Sequence, residues 1–184
     1  MGLRLRGARA ADAGAVAALN LASLRDVCRG TLPDEFLDAS LPPLLARRWQ
    51  VALSAPRRDA PVLLALLSTT PAGFVAVQRR DTVAELTDLH VRPGYRGAGI
   101  GRKLLAGVAE RMRRLGCRGA EVIDFSDNFS ALRFCRALGA TVGPEEPGAC
   151  FGQEMLQRRC AWADLGQLVI AASSYQPTVE AAAD

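Results

Sequence analysis

The sequence predicts an α/β domain in which helices flank a mixed, mostly antiparallel sheet, and three observations carry that prediction. Residues 60–78 contain no charge but are cut by Ser68-Thr69-Thr70-Pro71-Ala72-Gly73, as expected of two short apolar strands joined by a turn. A third strand-like run, 82–91, follows Asp81 at once, and three consecutive strands pair most simply as antiparallel neighbours. From residue 99 the period becomes helical: Leu104, Leu105, Val108, Ala109, Met112 and Leu115 form an apolar stripe, with Arg102, Lys103, Glu110, Arg111, Arg113 and Arg114 opposite.

The other elements follow in chain order. Leu3-Arg4-Leu5-Arg6 alternates as a short first strand, and Asp12 stands where an N-cap would open a helix carrying Val16, Leu19, Ser23 or Leu24, and Val27. Arg29-Gly30-Thr31-Leu32-Pro33 reads as a loop and 34–37 as a turn of helix. Leu44, Leu45, Trp49 and Leu53, with Ala52, then make one buried helical face that ends before Pro56. The hairpin strands are 61–67 and 73–78, and the helix 99–115 stops at Gly116. Residues 120–123 form a short buried strand, and 128–138 a second helix closed by Gly139. Residues 140–142 form a further strand, Gly143-Pro144-Glu145-Glu146-Pro147-Gly148 a loop, and 150–155 a last strand before the segment around Trp162. Residues 1–172 are taken as a single domain, and from 173 the chain has nothing that must be buried and is expected to fray.

Composition excludes several classes of function. With 184 residues, 49% hydrophobic and 23% charged, the chain can bury a sizeable core without a metal or disulfide staple. The five cysteines (Cys28, Cys117, Cys135, Cys150, Cys160) are odd in number, lack a Cys-x-x-Cys pair and have one histidine to join them, so reduced thiols in a cytoplasmic protein are expected and no metal site. Arg4 and Arg6 interrupt what would be the apolar core of a signal peptide, and the break at 68–73 argues against a membrane span. The net charge of +4 is spread along the chain and aromatic residues are few, so no nucleic-acid face is expected.

The stretch from Val91 to Leu105 runs from a strand through a glycine-rich turn into an amphipathic helix. Glycines there let the backbone approach a ligand, and the free amides of a helix start attract anions such as phosphate. A dinucleotide fingerprint fails because Gly97-x-Gly99-x-Gly101 is followed by Arg102 at the place where the last glycine belongs. A phosphate loop of the nucleotide-hydrolase kind fails because the chain reads Gly101-Arg102-Lys103-Leu104.

The third pattern, Gln/Arg-x-x-Gly-x-Gly/Ala, is matched by Arg96-Gly97-Ala98-Gly99-Ile100-Gly101. Together with the preceding Leu89-His90-Val91 and with Asn128-Phe-Ser-Ala131-Leu-Arg-Phe134-Cys135-Arg-Ala-Leu138-Gly139, it closely resembles the GNAT superfamily of acyl-CoA-dependent N-acetyltransferases. The resemblance is sharpest over 84–140. It implies a sheet split around the cofactor site and an acetyl-CoA-dependent transferase that acts on a primary amine by direct attack. The acceptor would be a small molecule or a peptide, no metal would take part, and a homodimer is among the assemblies open to it. A non-catalytic acyl-CoA-binding module and a protein N-acetyltransferase remain the alternatives.

The resemblance also assigns residues. The amides of Arg96, Gly97, Ala98, Gly99, Ile100 and Gly101 would hold the coenzyme A pyrophosphate, and Arg102 and Lys103 would meet a phosphate from the helix surface. The backbone of Leu89, His90 and Val91 would flank the pantetheine arm like an added strand, with Asn128, Ala131 and Phe134 lining it and the Val91 amide serving the oxyanion. Removing a proton from the attacking amine needs a base. Glu85 is the candidate, since an unbroken strand would place it on the apolar face of Val83, Leu89 and Val91, with Asp88 and His90 behind it on the other face. Many members carry tyrosine after the phenylalanine of the second signature, where it can protonate the leaving thiolate. This chain has Cys135 there, the candidate acid in its place, while Tyr95 and Tyr175 lie elsewhere.

Overall fold

A seven-stranded sheet is the spine of the computed structural model, which describes residues 2–55 and 57–174. Its strands are β1 (Leu3–Gly7), β2 (Val62–Leu67), β3 (Thr70–Arg80), β4 (Val83–Val91), β5 (Gly119–Phe125), β6 (Thr141–Cys150) and β7 (Gln153–Trp162), in the spatial order β1-β2-β3-β4-β5-β7-β6. Every neighbouring pair is antiparallel except β4 and β5, which run parallel. The helices are α1 (Ala13–Cys28), α2 (Leu41–Ser54), α3 (Ile100–Arg114), α4 (Phe129–Ala137) and α5 (Leu165–Ser173), and α3 supplies the crossover that a parallel pair requires.

The charge-free run of 60–78 follows from a sheet covered on both faces. Leu63 and Ala65 of β2, with Val75 and Val77 of β3, pack under α3 and α5, whereas Leu64, Leu66, Phe74 and Ala76 pack under α1 and α2. Strand alternation therefore finds an apolar partner on either side, and only the turn at 68–70 is exposed. On the α1–α2 side Trp49 is fully buried, edge-on to Phe74 with ring centroids 5.0 Å apart, and its Nε1 donates to Asn20 Oδ1 at 2.9 Å. That bond satisfies the one polar atom the indole brings into the core.

Several boundaries differ from those expected. Asp12 does not cap α1 with its side chain; it takes both prongs of Arg6, at 2.6 and 2.7 Å, and the Arg9 amide at 2.8 Å, closing a single 3-10 turn ahead of the helix. In α2 the buried stripe is Leu41, Leu45, Trp49 and Leu53, spaced four apart, and Leu44 and Ala52 are exposed. The segment expected as a turn over 34–37 is a π-helical turn at Phe36–Ser40.

The largest difference lies after Gly139. The supposed loop 143–148 is the body of β6, and the supposed strand 150–155 spans the reversal at Phe151 and Gly152, both with positive φ (51° and 80°), into β7. Pro144 and Pro147 are tolerated because β6 is the sheet's edge, where a missing N–H breaks no outer pairing. α5 had no assignment at all; Asp164 caps it by accepting from the Gln167 amide at 3.0 Å, and Leu165, Leu168 and Ala172 dock beneath α3. The fray expected from 173 does not begin there, since Ser173 is the last residue of α5 and Ser174 donates its Oγ–H and N–H to the Ile170 carbonyl at 2.7 and 3.0 Å; the rest of that tail, Tyr175 included, lies outside the described residues.

Candidate active site

A bulge opens the sheet. Ala76 of β3 pairs with Asp88 while its neighbour Val77 pairs with Leu86, so Thr87 is an extra residue in β4. The parallel pairing of β4 with β5 ends at the same level, at Leu86 and Val122, whereas β5 continues along β7 as far as Phe125 and Gln157. Past Thr87 the two strands part, and a cleft of about 740 Å³ lies between them.

One wall of this cleft is an unpaired strand edge. The Arg92 N–H bonds back to Ala72 at 2.9 Å, so alternation turns the peptide groups of Leu89 and Val91 the other way, into the gap that β5 has left. The turn beyond them holds Gly97 and Gly99 at φ of 80° and 76°, a region costly to residues with a Cβ. Gly99 is the N-cap of α3 and supplies no side-chain cap, so the first N–H groups of the helix open toward the cleft mouth. A Cβ on Gly101 would stand 3.4 Å from the Phe134 ring of α4, which sets how closely the two helices approach here.

Most sequence-assigned residues line this cleft: the backbone run of Leu89, His90 and Val91, the turn residues Arg96, Gly97, Gly99, Ile100 and Gly101, Arg102, and Asn128, Ala131, Phe134 and Cys135 from the far wall. Ala98 and Lys103 are exposed and do not line it. Arg96 forms an ion pair with Asp26 of α1, and Arg102 Nη1 donates to the Ala171 carbonyl of α5 at 3.2 Å.

Glu85 does not line the cleft either. The bulge at Thr87 shifts the alternation, so Glu85 lies opposite Gln78 on the same sheet face as Asp88 and His90 and not with Leu89 and Val91. Its carboxylate takes Gln78 Nε2 at 2.9 Å and an ion pair from Arg80. The apolar setting expected to tune it is absent.

The deeper end of the cleft gathers polar groups from several elements. Asn20 of α1 joins His90 through its Nδ2, 2.9 Å from His90 Nε2. Asp88, buried, is held by both prongs of Arg48 from α2, and Arg48 also lies 4.7 Å above the Trp49 ring. Asp124 of β5 accepts from the Phe125 amide at 2.8 Å and from Asn128 Nδ2 at 2.9 Å, both at Oδ1, and burial pushes its carboxyl above the usual range against the pull of those bonds. The sequence reading includes neither Asn20 nor Asp124, and Trp49 enters it only as a core residue of α2. The one local signal was Asp124 itself, a carboxylate inside the apolar run Val122-Ile123-Asp124-Phe125.

Cys135 and Cys150 line the cleft. Burial pushes Cys28 up to about 12 and Cys150 up to about 11, and contact with Cys160 together with burial raises Cys135. The acidic residues of the first third and of β6 are mostly engaged at the surface: Asp34 and Asp38 with Arg29, at 2.8 and 3.0 Å, and Glu145 with Arg158 at 3.7 Å. No described helix is long and apolar enough to cross a membrane.

Comparison with known proteins fits this geometry. No curated protein matches the chain. Among solved structures it is similar to the paia N-acetyltransferase from Thermoplasma acidophilum in complex with coenzyme A (18% identity, TM-score 0.73, covering 86% of this chain and 98% of that one). It is also similar to the ribosomal-protein-alanine N-acetyltransferase from Brucella melitensis (23%, TM-score 0.67, covering 87% and 99%) and to yncA from Salmonella typhimurium with its cofactor acetyl-CoA (22%, TM-score 0.62, covering 89% and 94%). At such identities the likeness concerns the fold. The family model described as the acetyltransferase (GNAT) family matches residues 21–140, more than half of the sequence, and the chain belongs to that family.

Proposed function

We propose that the cleft takes acetyl-CoA as co-substrate and passes its acetyl group to a primary amine, of a small molecule or a peptide, by direct attack on the thioester. The observation that carries this reading is the free edge of β4, with the peptide groups of Leu89 and Val91 facing the gap in line with the open N-terminus of α3. An extended amide-bearing arm can pair with such an edge as an added strand, and its pyrophosphate would then reach the turn at Gly97 and Gly99. Asn128, Ala131 and Phe134 stand across the gap, and Arg102 borders its mouth. A thioester carbonyl beside the Val91 amide would find a donor for its developing charge, worth about 3 kcal/mol of barrier.

The far end, where α1 and α2 meet β4, is then the acceptor's side. Five free cysteines, four of them buried, agree with a reducing, cytoplasmic setting. An acceptor screen that follows free thiol released from acetyl-CoA tests the reading. Release that depends on an added primary amine is the expected result. Coenzyme A binding with only slow, amine-independent hydrolysis would instead make the chain an acyl-CoA-binding module.

A further inference from the structure

Resting on the acetyl-transfer reading of the cleft, we propose that Asp124 takes the proton from the acceptor's ammonium group, while His90 is held as a hydrogen-bond donor and not as the base. A base at the acceptor end must line the cleft and have an oxygen or nitrogen open to the ammonium. Glu85 is excluded by position: it lies outside the cleft, with its Oε2 held by Gln78 and Arg80. Asp88 accepts Arg48 at both oxygens, and its Oδ1 lies 3.6 Å from His90 Nε2, outside hydrogen-bond reach.

His90 is settled by a chain of three side chains. The Trp49 indole can only donate, so Asn20 must present Oδ1 to it, 2.9 Å away. The Asn20 amide nitrogen then faces His90, and its hydrogen goes to Nε2 at 2.9 Å. A neutral imidazole that accepts at Nε2 carries its hydrogen on Nδ1. To take a proton, Nε2 would have to give up Asn20, which cannot turn over without losing Trp49.

Asp124 differs in each respect. It stands on β5 beyond the last residue paired to β4, and it lines the cleft. Both of its hydrogen bonds arrive at Oδ1, and Oδ2 accepts none from the described residues. The titratable groups that influence it are His90 from β4, Cys28 from α1, Cys150 at the end of β6, Cys135 of α4 and Cys160 of β7, and Arg158 stands opposite it across the β5–β7 pair with its guanidinium held by the Gly143 carbonyl at 3.1 Å and by Glu145 at 3.7 Å. Beside that geometry, its upward shift moves it toward the range in which a base works at neutral pH.

The step balances without a further reactant. The ammonium gives one proton to Asp124 Oδ2, and the freed nitrogen lone pair forms the C–N bond at the acetyl carbon. The C–S bond breaks with its electron pair going to the coenzyme's sulfur. The nitrogen's surplus proton ends on that thiolate, and Asp124 returns its own to solvent.

Two measurements test the assignment. In the first, Asp124→Asn is compared with the native protein using acetyl-CoA and the fastest amine of a panel of alkylamines, arylalkylamines, polyamines and peptide N-termini. Asp124→Asn should lower kcat/KM by roughly 10²–10⁴-fold at pH 7, with the loss shrinking as pH rises toward the amine's own pKa, and coenzyme A affinity should stay within about twofold. His90→Gln should lower the rate by a similar factor at every pH. Retention of the neutral-pH rate in a folded Asp124→Asn protein, or a loss that fades at high pH in His90→Gln, would overturn the proposal.

The second measurement needs no activity, so it separates this proposal from the transfer reading beneath it. His90 is the chain's one histidine, and nitrogen NMR of the native protein reads its tautomer without overlap. Hydrogen on Nδ1, moving to Nε2 in Asn20→Ala, is the expected result. Hydrogen on Nε2 in the native protein would leave Nδ1 a free lone pair and remove the argument for Asp124.

Discussion

Arg48 of α2 and Asp88 of β4 are joined by a two-pronged ion pair, Nη1 donating to Oδ1 at 3.0 Å and Nη2 to Oδ2, which ties the helical layer to the strand beside the cleft. The Asp88 side chain is 3% exposed and that of Arg48 is 35%, so removing the arginine strands a buried carboxylate. Arg48→Met should cost about 1–3 kcal/mol in urea unfolding, and adding Asp88→Asn should recover part of it. A single variant as stable as the native protein would show that the pair is not structural.

A second ion pair sets a pH dependence. The hydrogen bonds from Arg6 hold the Asp12 carboxyl below the usual carboxylate range. A depressed folded pKa adds stability that is present above the unfolded value, about pH 4, and is lost as pH falls through the folded one. Arg6→Gln should therefore be less stable at pH 7 by about 1 kcal/mol, the scale of a partly exposed pair, and the gap should close in acid. Thermal melts at pH 7 and below pH 3 check this; a gap of constant size would assign the loss to packing.

Gly99 combines a left-handed backbone with the place where phosphate would approach. The native protein should bind coenzyme A with micromolar affinity, about 8 kcal/mol, and Gly99→Glu should abolish that binding while the fold persists. Unchanged affinity by calorimetry in a folded variant would remove the pyrophosphate assignment.

Cys135 lines the cleft but behaves as a core residue, 4% exposed among Leu132, Leu138 and Cys160. A thiol held above its ordinary range is a poor proton donor to a leaving thiolate that is itself stable near neutral pH. Cys135→Ala should cost less than roughly tenfold in kcat, at the low end of acid catalysis. Loss of turnover with coenzyme A binding and melting temperature intact would instead make Cys135 the acid.

The elements legible in the sequence were those whose signal is local. The hairpin, the stripe of α3 and the glycine turn each follow from a pattern within about fifteen residues, as does the cap at Gly139, found at φ 83°. What was hidden depends on a neighbour. Thr87 becomes a bulge only because of where β3 stands, and that shift moved Glu85 off the apolar face. Pro144 and Pro147 read as a loop until β6 is known to be the edge strand. The helix after Asp164 carries one local signal, an Asp-x-x-Gln start. Asn20 and Trp49 sit 70 and 41 positions from His90, and no spacing rule joins them.

Completion of the free β4 edge by coenzyme A is tested most directly by amide NMR of the labelled protein titrated with coenzyme A. The Leu89 and Val91 amides should shift and gain protection from exchange, together with Gly97, Gly99 and Ile100, while the amides of β1, the far edge strand, stay unmoved. Binding that leaves Leu89 and Val91 unchanged and perturbs another surface would contradict it.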